Sequence, residues 1–321
     1  MTNHFIPFFT FIALTLSTSF SVQAFDAKRF SGNFSINTGV TSSNSNLDTE
    51  GDSRLGNITS KGSSNTDFFV GPLGNFEYKF DKERFHSVYL GTSRDDLAVG
   101  TLAFELGYRF TSRRGTKLDL AFLPTIVANE MWSDPYATGS ERVTTDVDGR
   151  AYRFKFTNIM ESRFSFDMAY AIAKFDDEAI SDQSLHRESD SLYYKIQHLT
   201  MLTPHTGFTG AVNVINHDAQ GDAASFDQYT GEVTYFYNTP RHFVSLTGSY
   251  GNRKYDAAHP YFGGHRKDDI YFLFLAYEYR DLENWDNWSI TSFAGASITT
   301  SNFDFYESDE YLMSVGLNYQ F

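Results

Sequence analysis

From Phe30 onward the chain alternates. Phe30, Gly32, Phe34, Ile36, Thr38 and Val40 interleave with Ser31, Asn33, Ser35, Asn37, Gly39 and Thr41, the period-two pattern of a strand whose two faces meet different surroundings. The pattern returns in residues 76–80, 102–110, 117–122, 152–156 and 164–170, with charged residues set between rings. Fourteen such segments are predicted, near 30–41, 67–80, 85–92, 97–110, 116–127, 150–157, 164–174, 191–202, 208–215, 226–237, 242–250, 270–279, 288–299 and 310–321. Many are longer than the five or six residues usual in soluble sheets and suit a tilted membrane crossing.

The connections are unequal. Tight turns such as 81–84, 112–115, 203–206 and 238–241 follow even-numbered segments, and polar stretches 42–66, 128–149, 175–190, 216–225, 251–269 and 300–309 follow most odd-numbered ones. The short connection around Arg94, Asp95 and Asp96 is an exception. Alternation alone would also serve a soluble sandwich, with one face on a second sheet. Long strands, short turns on one rim and long loops on the other select a closed membrane barrel with both termini on the short-turn side.

The two ends of the chain add to this. Residues 5–20 are apolar but too short to span a bilayer, and the small residues around Val22, Gln23 and Ala24 suit a signal peptidase. Residues 1–24 are therefore expected to be a cleaved signal peptide and 25–321 the barrel. At the other end Tyr311, Met313, Val315, Leu317, Tyr319 and Phe321 alternate with polar or small residues, and the chain stops on the aromatic. In these features the sequence resembles the outer-membrane β-barrel proteins of Gram-negative bacteria, porin-like chains whose last strand ends in Phe or Trp. The resemblance implies an all-β fold, a transmembrane antiparallel β-barrel of about 14 strands in the cell outer membrane. It also implies that Tyr319 and Phe321 form the signal read by the barrel assembly machinery, and that membrane lipid and lipopolysaccharide are neighbours.

Composition narrows the function. The 321 residues carry a net charge of −14 at a mean hydropathy of −0.38. Past residue 24 no run approaches the ~18 to 20 apolar residues of a membrane helix. An acidic chain without a basic run is a poor nucleic-acid binder. Zero Cys excludes disulfides, thiolate nucleophiles and Cys-ligated zinc. The 17% aromatic content suits girdles at the two membrane interfaces. Candidates near the short-turn rim are Phe80, Tyr108, Phe110, Tyr235, Tyr237, Tyr277, Tyr279, Trp288, Tyr319 and Phe321.

Most of the acidic excess falls in the long loops. Within the strands, Glu77, Lys79, Glu105, Arg109, Lys117, Asp119, Arg153, Lys155, Asp167, Lys195, Glu232 and Glu278 all lie opposite the apolar set. Arg or Lys facing lipid at the midplane would cost about 2 to 4 kcal/mol each, so these twelve are expected to face inward. They could line a water-filled pore that orients a solute, with Arg109, Lys117, Arg153 and Lys155 as a basic stripe facing Glu232 and Glu278. They could instead be a paired ladder that braces the interior. The expected function is a passive channel for small hydrophilic solutes, with no cofactor and no metal. The alternatives are a non-conducting surface barrel that presents acidic loops for binding, or a hydrolase. No His is followed two residues on by Ser, His198 precedes only Thr200, and Asp146-Val147-Asp148 has no Asp-x-His partner. Asp176, Asp177, Glu178 and Asp182 lack the spaced ligands and central Gly of a calcium loop. The ring-rich stretch 251–269 is read as a loop that points either into the lumen or outward.

Overall fold

The computed structural model describes residues 29–81, 83–92, 104–124, 129–280, 282–283 and 285–321. The expected signal peptide lies outside them, as do the short connection at 93–96 and the start of the fourth predicted segment, 97–103. Fifteen strands form one antiparallel sheet: β1 Phe30–Ser43, β2 Asn65–Lys79, β3 His86–Thr92, β4 Phe104–Thr111, β5 Lys117–Pro124, β6 Asn129–Trp132, β7 Thr144–Thr157, β8 Phe164–Phe175, β9 Ser189–Met201, β10 Thr206–Ala219, β11 Phe226–Asn238, β12 His242–Ala258, β13 His265–Arg280, β14 Trp288–Ser301 and β15 Ser308–Gln320. β1 pairs with β15 and β5 with β7, so the sheet closes on itself. β5 and β6 are two pieces of one stave, since both lie along β7, opposite Arg150–Thr157 and Thr144–Val147 respectively. The barrel therefore has fourteen staves, the number the alternation predicts.

Four stretches expected as loops are strand instead, the first being β6 at Asn129–Trp132, within the predicted loop 128–149. β12 runs to Ala258 and β13 begins at His265, so 251–269 is a tall hairpin closed by a turn at 259–264, where Gly263 and Gly264 take positive φ. β7 begins at Thr144 rather than near 150, and β10 runs on to Ala219. Above the lipid band neither face of a strand needs to be apolar, so these extensions carry polar residues and read as loop.

The alternation sorts the side chains as the sequence predicts. Ile36, Val70, Leu106, Leu120, Ile196, Val212, Val233, Leu273 and Met313 are more than half exposed or nearly so on the outside, while their neighbours Ser35, Asn37, Glu105, Asp119 and Thr234 are buried inside. Rings flank the outer apolar band at two levels. Tyr250 packs on Tyr271 near the loop rim at 5.4 Å, and His242 on Tyr279 near the turn rim at 5.3 Å. Tyr271 and Tyr279 are eight residues apart on β13, about 26 Å along the strand at ~3.3 Å per residue and about 20 Å along the axis at ~40° tilt.

The seam between first and last strands is closed by the C-terminal residue. Phe321 exchanges backbone hydrogen bonds with Gly32 at 3.0 and 3.1 Å, and its ring lies between Phe30 and Phe76 at 5.2 and 5.7 Å. A Cβ on Gly32 would stand 2.8 Å from that ring, so only glycine admits it. Inside, Gly316 plays a similar part: a Cβ there would sit on Asn37 Oδ1, and its absence lets Asn37 reach over β15 to accept from Thr291 at 3.2 Å.

Leu273 faces outward at the middle of β13. Leu273→Arg is expected to lower unfolding free energy in lipid vesicles by about 2 to 4 kcal/mol, measured by urea titration. A change below ~0.5 kcal/mol would contradict the lipid-facing assignment.

Candidate functional site

The inward face carries two different walls. On β2 to β9 and β11 eight of the charges expected to face inward, Glu77, Glu105, Arg109, Asp119, Arg153, Asp167, Lys195 and Glu232, are joined into bridges, three of which leap across an intervening strand. Arg109 meets Asp119 at 2.5 Å and, over β3, Glu77 at 3.6 Å. Arg153 meets Asp167 at 2.5 Å and, over β5, Glu105 at 3.5 Å. Lys195 reaches over β10 to Glu232 at 2.7 Å. On β13 Glu278 pairs with Arg280 at 2.8 Å and accepts from Ser289 at 2.8 Å. Tyr89 lies flat over Gly107, where any Cβ would collide with its ring, and supports the Arg109 guanidinium from 4.7 Å. The opposite wall, β12, β14 and β15, presents mainly Ser, Thr, Gly and Asn, and Phe272 and Phe274 of β13 stack with Phe293 of β14 at 6.0 Å spacings between the two walls.

The expected basic stripe is therefore not a field of free positive charge. Arg109 and Arg153 are each held by two carboxylates, and Glu232 is held by Lys195. Among the described residues Lys79 and Lys117 have no carboxylate partner and lie nearest the turn rim, while Lys155 stands opposite Asp119 in the β5–β7 register. Sequence parity alone could have added Arg280 to the set, since it shares the inward face of β13 with Glu278.

Above the lumen, six outer connections fold into one body: 44–64, 133–143, 176–188, 220–225, 259–264 and 302–307. Leu55, Phe305 and Tyr306 form a buried core with Leu47, Ile58, Tyr136, Phe262 and Phe303. Ile180, Leu185 and Ala223 form a second, and Tyr136 touches both. Tyr136 packs against His259, Tyr261 and Phe305 at 5.1 to 5.4 Å, and its hydroxyl is 2.6 Å from that of Tyr306.

The connections follow one another around the rim in chain order. Tyr136 is in the third of seven and its partners in the sixth and seventh, each three steps away, the greatest separation a ring of seven allows. These contacts can form only across the mouth. The cap is also tied down. Arg266 on β13 is buried, bonded to Asp268 at 2.7 Å, with its guanidinium 3.3 Å from the Tyr306 ring centre and 4.5 Å from that of Tyr255. Arg142 lies over Trp132 at 4.1 Å and donates to the carbonyls of Asn46 and Asp52, locking loop 133–143 to loop 44–64. Arg187 bonds Glu178 and the Trp132 carbonyl, both at 2.7 Å.

Of these cap residues the sequence singled out only those of the ring-rich stretch 251–269, Tyr255, Tyr261, Phe262 and Arg266 among them; Tyr136, Phe303, Phe305 and Tyr306 were missed. The available signal was six rings, Tyr136, Tyr261, Phe262, Phe303, Phe305 and Tyr306, in connections that are otherwise polar. The two fragments weighed as hydrolase candidates lie outside the lumen. His198 and Thr200 have the outward parity of β9, with His198 against Phe164 at 4.5 Å, and Asp146 and Asp148 are exposed on the outside of β7.

A family model described as "Protein of unknown function (DUF2860)" matches residues 30–320; the chain belongs to that family. No curated protein matches the sequence. Among solved structures the chain is similar to a Pseudomonas aeruginosa FadL homologue, with a TM-score of 0.43 and 9% identity over 91% of this chain and 90% of that one. It is similar also to OmpT, an outer membrane protein of Vibrio cholerae, with 0.43 and 9% over 91% and 98%, and to Acinetobacter baumannii OccAB3, with 0.41 and 9% over 91% and 99%. A closed antiparallel barrel with an outward apolar band between two girdles is the outer-membrane solution to crossing a bilayer with strands, and the outer membrane is where this chain resides.

Arg153 holds two buried carboxylates. Arg153→Met is expected to destabilise the barrel by about 3 kcal/mol, because it removes the guanidinium that pairs with the buried Glu105 and Asp167, whereas Lys117→Met should change stability by less than ~0.5 kcal/mol. Urea unfolding of both variants checks the difference, and equal effects would contradict the bracing role.

Proposed function

We propose that this member of the family is an outer-membrane channel for small hydrophilic solutes, passed without a catalytic step, cofactor or metal, and that its outer mouth opens when the cap parts. The observation that supports this reading is the inward face, which carries bridged charges on β2 to β9, β11 and β13 and mainly Ser, Thr, Gly and Asn on β12, β14 and β15. Fourteen staves at ~4.8 Å spacing and ~40° tilt would enclose about 28 Å between opposite backbones in a circular barrel, more than wall side chains fill. Charges in such a space call for water, since a dry interior would cost several kcal/mol per ion. The acidic loops raise the local concentration of cations at the mouth and disfavour anions, so neutral and cationic solutes are the preferred class. In the same reading lipopolysaccharide and phospholipid surround the apolar band, and Tyr319 with Phe321 marks the chain for the assembly machinery.

A second reading, a non-conducting anchor for a binding surface, is favoured by the cap itself, whose loops share a core and span the mouth. The two readings differ in what removing the cap's centre does. Tyr136→Ala deletes the ring common to both apolar clusters. In planar bilayers the native barrel should give rare, brief openings, and the Tyr136→Ala barrel sustained stepwise conductance at least tenfold higher with mild cation preference. Silence from both, with folded protein verified by gel mobility before and after heating, would support the anchor.

A further inference from the structure

His259 sits at the centre of the contacts that cross the mouth. It is 1% exposed, ringed by Tyr136, Phe262, Phe303 and Tyr306 at centroid distances of 4.5 to 6.0 Å. Both ring nitrogens are committed. Nδ1 accepts the backbone N–H of Tyr261 at 3.3 Å, which leaves Nε2 as the protonated nitrogen, donating to the Tyr306 hydroxyl at 2.7 Å; that hydroxyl in turn meets Tyr136 at 2.6 Å. One neutral tautomer thus satisfies a chain running from the 259–264 turn through loop 302–307 to loop 133–143.

We propose that His259 is a proton-sensitive latch of the outer cap: neutral, it holds these three connections together across the mouth, and protonated, it releases them. A second proton would have to sit on Nδ1, where it would face the Tyr261 N–H donor to donor and break the turn. The resulting imidazolium would also be a buried cation. The charged and titratable groups around it are Arg266 from β13, Asp182 from loop 176–188, and the phenols of Tyr136, Tyr261 and Tyr306. Arg266 repels the imidazolium and Asp182 alone favours it. Burial, then Arg266, push the imidazole down from 6.5 to about 4, against the smaller pull of Asp182. The sign follows. Above pH 6.5 the residue is neutral whether the cap is closed or open. Between 6.5 and 4 only the open form takes up the proton, so opening is increasingly favoured as pH falls. Below pH 4 the full effect on the open-to-closed ratio is up to about 300-fold.

The consequence for transport rests on the channel reading above; the opening of the cap does not. The test uses the full barrel in lipid vesicles, with hydrogen exchange in residues 133–143 and 302–307 followed from pH 7.5 to 4 and corrected for intrinsic exchange. Native protein should exchange at least tenfold faster at pH 4.5 than at pH 7.5, and H259Q should show a flat profile. The same rise in H259Q, or no rise in the native protein, overturns the proposal. Should H259Q not fold, NMR titration of His259 in the native barrel decides it, and a midpoint at or above 6.5 overturns it. Bilayer conductance separates the two readings. If Tyr136→Ala conducts and the native barrel stays silent at both pH values, the latch fails and the channel stands. If neither conducts, the channel reading fails and the exchange profile still judges the latch.

Discussion

A strand crossing hydrocarbon has no water to satisfy its peptide groups, so every N–H and C=O must find a partner in a neighbouring strand and no edge can be left open. The whole structure follows from that constraint. It demands that β1 find β15, and the terminal Phe321 completes the seam by bonding Gly32 and lying between Phe30 and Phe76. It tolerates the interrupted stave of β5 and β6 because both pieces keep β7 as a partner. Closure also creates an inside, and with it a second surface on which charges can stand.

That inner surface is stabilised by a principle opposite to the outer one. Outside, apolar side chains face hydrocarbon without specific partners. Inside, carboxylates and guanidiniums are held in pairs that reach over intervening strands, as Arg109 does to Glu77 and Arg153 to Glu105. Such bridges tie staves that share no backbone hydrogen bond, and they cancel most of the local charge. The lumen therefore presents oriented dipoles and a few Lys residues near the turn rim rather than a strongly signed field.

The cap is built by a third rule. The extended β12–β13 hairpin rises beyond the lipid band and carries Arg266 and Tyr255 beneath Tyr306. Six connections then bury aromatic rings against each other in water, as a small soluble domain does. The cap and barrel are thus stabilised by different solvents, so a perturbation of one, such as a proton on His259, can act without disturbing the other.

How much was legible in the sequence follows from how local each signal is. Period-two alternation is a property of neighbouring residues, and it specified the stave number and set the twelve strand charges opposite the apolar positions, because lipid penalises any error of facing. It failed at 129–132, 144–149, 216–219 and 251–269, where strands leave the lipid and the penalty vanishes. Which charges would meet was beyond it: Arg153 and Glu105 are 48 residues apart in sequence, and only the stagger of closed staves brings them within 3.5 Å. The cap was further beyond, since Tyr136, His259 and Tyr306 come from opposite sectors of the rim, and nothing in a polar loop records which distant loop it will touch. Side-chain facing is dictated by the bilayer residue by residue, whereas contacts across the mouth exist only after the cylinder has closed.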